Sequence, residues 1–72
     1  MSFSEIGNSI KKRRDTLDIT QSDLAEMADI SVNTLYKIET GQANPTLRVL
    51  HKIADILGME LILRVKSPGR PS

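Results

Sequence analysis

Seventy-two residues with ten Lys and Arg, nine Asp and Glu and one His give a formal net charge of +1 and room for one small domain with a modest core. Cysteine is absent, which excludes a disulfide framework and thiolate metal sites, and a single His completes neither a metal site nor a Ser-His-Asp constellation. No run is long and apolar enough to cross a membrane, and residues 1–5 lack a secretory pattern. A cytoplasmic, non-enzymatic protein without a cofactor is therefore expected.

Ser4 is placed to cap a first helix, with Ile6, Ile10 and Leu17 as its apolar stripe and Phe3 as a hydrophobic staple. Lys11-Lys12-Arg13-Arg14 gathers four of the ten basic residues on that helix. Lys11, Lys12 and Arg13 are expected on wetted faces, where solvation and phosphate contact are equal alternatives. Leu17-Asp18-Ile19 is a short connector. Thr20 then caps a second helix, with Asp23 three residues on as an acidic capping-box variant. Leu24, Ala25 and Ala28 share one helical face, and the pattern stops at Asp29-Ile30.

Ser31 is the next cap, and Leu35 and Ile38 are the next apolar pair. Two helices joined by so few residues cross steeply and need a small residue where their axes approach, a position that Ala25 suits. Leu35 and Ile38 face into the angle, so Val32, Asn33, Tyr36 and Lys37 point outward. That is the layout of a helix-turn-helix over residues 20–41, whose second helix enters the DNA major groove. The residue types suit the task. Asn33 can pair bidentately with adenine, Lys37 can donate to guanine, Val32 can pack on a thymine methyl, and Ser31 can bond a base or a phosphate. Tyr36 can reach phosphate, lie against the groove wall or pack on the protein surface. Gln21 opens the second helix, where anions are favoured, while Asp23 and Glu26 are expected to face away from DNA.

Residues 40–45 form a loop, with Gly41 just past the recognition helix. Thr46 caps a further helix whose stripe is Leu47, Leu50, Ile53, Ala54 and Leu57, with Val49 and Ile56 off it and Gly58 ending it. His51 on this helix is assigned no chemistry, and no metal site is expected. In Met59, Glu60, Leu61, Ile62, Leu63, Arg64, Val65 and Lys66, apolar residues alternate with polar ones, Ile62 excepted, which predicts a strand. A fifth helix is the competing reading, opposed by Gly58 and the β-branched residues. A lone strand leaves its ladder unpaired, and a second copy across a two-fold axis at Ile62 would pair it and set Glu60 against the partner's Arg64. The fold class expected is all-α, with four to five short helices and a C-terminal β-strand pairing across a homodimer. The domain spans residues 1–66, with the dimerisation strand at 59–66. Residues 67–72, Ser-Pro-Gly-Arg-Pro-Ser, read as a disordered tail with a faint likeness to an AT-hook core.

Thr20-Gln21, Leu24-Ala25, Ile30-Ser31, Leu35, Ile38-Glu39, Gly41 and Pro45 resemble the helix-turn-helix of the phage-repressor (XRE) superfamily, across residues 6–58. The resemblance implies a lambda-repressor-like fold, a phosphate contact from Gln21, another from the loop around Asn44, and a structural ion pair between Arg14 and Glu39. One departure is Asp29, at a turn position where the family usually has Gly. The strand after Gly58 resembles that of HipB-type antitoxins. This implies a repressor of its own operon at palindromic operators, dimeric through that strand, with a HipA-type Ser/Thr kinase toxin as partner. A stand-alone XRE-family regulator with no toxin is the alternative.

Overall fold

In a computed structural model, which describes residues 2–66, four helices each open on a hydroxyl side chain that accepts an amide hydrogen three residues on. Ser2 starts α1 (Phe3–Thr16), Thr20 starts α2 (Gln21–Met27), Ser31 starts α3 (Val32–Glu39) and Thr46 starts α4 (Leu47–Leu57). Each such cap stabilises its helix by about 1 kcal/mol.

The first cap corrects the expected boundary. Ser2, not Ser4, opens α1, because Ser2 has Glu5 three residues on and forms a full capping box, with the Ser2 amide donating back to Glu5 Oε1 at 3.1 Å. Ser4 has only Gly7 at that spacing. Phe3 thus lies inside the first turn, half exposed, and is no staple. At the other end Leu17 is the C-cap and an exposed residue, outside the buried stripe.

The core takes Ile10 from α1, Leu24 and Ala25 from α2, Leu35 and Ile38 from α3, and Leu50, Ile53 and Leu57 from α4. Leu24, Leu35, Ile53 and Leu57 are almost wholly withdrawn from water. Ala25 is equally buried, as a close crossing of α2 and α3 requires. Arg13 was expected on a wetted face; instead it is half-buried, and its Nε donates to the Leu57 carbonyl oxygen at 2.8 Å. It caps the last turn of α4 from α1, satisfying a carbonyl that the helix itself leaves open.

Two aspartates, Asp18 and Asp29, occupy left-handed backbone conformation, both with φ of 57°. Each ends a helix, and the residue after each donates back to a carbonyl five residues earlier, Ile19 to Arg14 at 3.1 Å and Ile30 to Ala25 at 3.0 Å. A side chain there costs about 1–2 kcal/mol, while glycine would cost about 0.4–1 kcal/mol in unfolded-chain entropy. Asp29→Gly is therefore expected to stabilise the protein by roughly 0.5 kcal/mol, read as a higher denaturant midpoint. A lower midpoint would show that the Asp29 side chain supports the turn.

The described residues contain four helices, within the expected four to five, and no strand. Met59 follows Gly58, which has a φ of 68°, and is half-buried against the core, its amide donating to the Ala54 carbonyl at 2.8 Å. Beyond it burial fades: Leu61 and Ile62 are about half exposed, and Leu63 and Val65 are fully open to water. The physical reason is the missing ladder, since one chain with four helices supplies no second strand to pair with residues 59–66. The tail expected at residues 67–72 lies outside the described residues.

Candidate nucleic-acid interface

The recognition helix presents one face inward and one outward. Leu35, Ile38 and Glu39 are buried, while Val32, Asn33, Tyr36 and Lys37 are exposed, Val32 and Tyr36 by nearly half of their surface. At 3.6 residues per turn Asn33 and Lys37 are neighbours at the centre of the outward face, with Val32 and Tyr36 along one edge. Among the described residues no hydrogen bond engages the Asn33, Tyr36 or Lys37 side chains, so their donors and acceptors are available to a partner. An eight-residue helix is about 12 Å long, close to the width of a major groove.

What holds this helix in place is a buried polar network. Arg14 grips Glu39 bidentately, Nε to Oε2 at 2.8 Å and Nη2 to Oε1 at 3.1 Å, and its Nη1 donates to the Ile19 carbonyl at 2.9 Å. The hydrogen bonds that Arg14 donates to Glu39 raise the Arg14 pKa above its ordinary value. Burial opposes this, and the charges of Glu39 and Asp15 reinforce it. Gln21 joins the same carboxylate, its Nε2 donating to Glu39 Oε1 at 3.0 Å. One carboxylate on α3 thus receives donors from α1 and α2 together. No buried side-chain nitrogen or oxygen among the described residues lacks a partner.

The residues assigned to phosphate differ in their settings. Gln21 is half-buried and turned to Glu39, which leaves its amide one further hydrogen and its carbonyl oxygen. Asn44 is exposed in the loop between α3 and α4. That loop begins at Gly41, whose φ of 77° lets the Gly41 amide donate to the Ile38 carbonyl. Ser31 is exposed, but its hydroxyl already accepts the Thr34 amide at 3.0 Å and donates to Thr34 Oγ1 at 2.8 Å. Reading the sequence missed Thr34, Arg13 and Gly7. For Gly7 there was a signal, because a lone glycine inside a helical pattern often marks a close packing contact.

His51 lies 3.4 Å from Asp55 on the exposed side of α4. The described residues hold no group of three or more metal-ligating side chains, and no helix among them is long and apolar enough to cross a membrane.

A helix-turn-helix family profile matches residues 10–63, which takes in the end of α1, the whole two-helix unit, α4 and the segment after it. The chain belongs to the helix-turn-helix family. Within this family it is similar to a protein of Methanococcus vannielii that carries the provisional name of an HTH-type transcriptional regulatory protein. The two are 39% identical over 56 residues, 78% of this chain but 17% of the relative, so this chain spans only a small part of that protein's length. An uncharacterized HTH-type transcriptional regulator of Methanothermobacter thermautotrophicus is 38% identical over 53 residues, 74% of this chain and 77% of that one. The fold resembles the crystal structure of the clp gene regulator ClgR from Corynebacterium glutamicum, with a TM-score of 0.77 at 23% identity over 79% of this chain and 61% of that one. At that identity the likeness establishes the fold.

Proposed function

We propose that this helix-turn-helix protein is a sequence-specific DNA-binding transcriptional repressor that inserts the outward face of α3 into the major groove. The observation that carries this reading is a face bearing Asn33, Tyr36 and Lys37 with uncommitted polar groups, on a helix pinned by a buried ion pair. Asn33, Lys37, Val32 and Ser31 read bases, Tyr36 lies beside them, and Gln21 and Asn44 contact phosphates on either side of the groove. The Arg14–Glu39 pair acts structurally, keeping α3 in register with α1.

One such helix discriminates only a few base pairs, at about 1–3 kcal/mol for each good bidentate contact, so two copies act together. Met59, Glu60, Leu61, Ile62, Leu63, Arg64 and Val65 pair with their counterparts across a two-fold axis. The exposed Leu63 and Val65 and the unpaired backbone beyond Met59 support that role. The operator is then an inverted repeat with half-site centres about 34 Å apart, one turn of duplex.

Selection of binding sites from random duplexes, with the protein's mass in solution measured alongside, tests the whole reading. An enriched palindrome and a dimeric mass are expected; a monomer bound to a single asymmetric site would remove the two-fold model. Asn33→Ala and Lys37→Ala are each expected to lose about 1–3 kcal/mol of preference for their own base pair, measured against single-base operator variants. Retention of the full preference by both variants would place the reading surface elsewhere.

The finer assignment, an antitoxin that neutralises a HipA-type kinase, rests on the resemblance of residues 57–65. The relatives named as transcriptional regulators fit a stand-alone regulator equally well. A neighbouring gene with kinase motifs would decide for the antitoxin.

A further inference from the structure

We infer that the partner's Leu63 and the partner's Val65 close a cleft between α1 and α4, so that each copy of the chain completes the core of the other. This rests on the two-fold reading above and adds to it a seat for the side chains. The cleft measures about 230 Å³ and is lined by Ile6 and Ile10 from α1, Leu50 and Ala54 from α4, and Met59 and Leu61 from the segment that follows. It opens directly onto the core, since Ile10 and Leu50 are core residues and Ile6 and Met59 pack against the same cluster. Leu63 and Val65 continue the parity of Met59 and Leu61, yet neither lines the cleft of its own chain and both lie fully open to water.

The register of the pairing connects the two observations. In an antiparallel pair, residues directly opposite each other project their side chains to the same face. With the two-fold axis at Ile62, the partner's Leu63 stands opposite Leu61 and the partner's Val65 opposite Met59. Leu61 and Met59 both wall the cleft, so the uncovered side chains of one copy arrive over the open cleft of the other. Symmetry makes the exchange reciprocal, and both clefts close at once. The backbone gains as well, because no described residue beyond Met59 has a backbone hydrogen bond within its own chain.

Charge selects the same register. It sets Glu60 against the partner's Arg64 and Ile62 against its own counterpart. A slip by one residue would set Arg64 against Met59 or Leu61, and a slip by two would set Ile62 against Glu60 or Arg64. No other register within two residues keeps charge on charge and apolar on apolar.

The chain has no cysteine, so single cysteines report the register in the full-length protein. Ile62→Cys is expected to cross-link to itself under mild oxidation. Leu61→Cys is expected to cross-link to Leu63→Cys when the two variants are mixed, with little product from either alone. Leu63→Ala tests the seat. That side chain is fully exposed within its own chain, so the variant keeps the isolated fold, read as an unchanged thermal midpoint of the dilute monomer. Its dimer dissociation constant, measured by sedimentation, is expected to rise about a thousandfold or more, because two buried leucines are truncated per dimer. Cross-strand contact without a seat would give a rise of about thirtyfold or less. A dimer that does not cross-link at Ile62→Cys, or one in which Leu63→Ala has only that smaller effect, overturns the inference and leaves the two-fold reading standing. A wild-type protein that stays monomeric at the concentrations used overturns both.

Discussion

Glu39→Ala is expected to remove most of the protein's stability. The Glu39 side chain is 1% exposed and accepts three hydrogen bonds, two from Arg14 and one from Gln21. Alanine would leave the Arg14 guanidinium, 11% exposed, with the Ile19 carbonyl at 2.9 Å and the exposed Asp15 carboxylate at 3.6 Å. Removing one partner of a buried pair costs about 3–5 kcal/mol, because the charge left behind keeps its desolvation penalty and loses its compensation. A domain of this size has only about 5 kcal/mol in total. A thermal melt followed by circular dichroism reads the effect, and a midpoint within a few degrees of wild type would mean that the pair is expendable. A double replacement, Arg14→Met with Glu39→Leu, separates burial of charge from shape. Both desolvation penalties vanish together, so most of the stability should return, less about 1–3 kcal/mol for the orphaned Ile19 carbonyl.

The helices were legible because their signals are local. Thr20, Ser31 and Thr46 each precede an apolar residue series of period 3.6, and each caps the helix it announces. The left-handed turn at Asp29 was implied only by the resemblance, at a position where the family usually has Gly and where Asp is tolerated. At the first helix the cap expected at Ser4 lies at Ser2, because Glu5 accepts the Ser2 amide, a bond that the apolar stripe does not register. What could not be read was tertiary. Arg13 stands in a basic run that looks solvated, and only the position of Leu57, forty-four residues away, gives its Nε a carbonyl to cap. Ser31 shows the same limit within the site. Its place at the start of the reading face follows from the helical period, but the contact of its hydroxyl with that of Thr34 depends on rotamers. Residues 59–66 show a third kind of limit, because alternation describes a surface that a strand would present and says nothing of which chain supplies the ladder.

Gly7→Ala is expected to destabilise the protein by about 2 kcal/mol or more, against the direction that helix propensity gives. In an exposed helix interior, alanine is better than glycine by about 0.8–1.0 kcal/mol. Gly7 is buried on α1, and a Cβ built there would overlap the Ile38 carbonyl oxygen and stand 2.7 Å from the Glu39 carbonyl oxygen and 2.8 Å from its carbon. All three are backbone atoms of the last turn of α3, so no side chain can swing aside. Overpacking of this kind costs about 1–3 kcal/mol and more where the obstacle is rigid, which outweighs the propensity gain. The helices must separate, and the strain falls on the Arg14–Glu39 bonds that bridge the same two elements. The effects of Gly7→Ala and Glu39→Ala should therefore add to less than their sum, since either one loosens the contact on which the other depends. Denaturant titration of Gly7→Ala should show a lower midpoint at an unchanged slope. A raised midpoint would mean that α1 and α3 do not approach this closely in solution, and it would also withdraw the support that the bidentate grip gives to the reading helix.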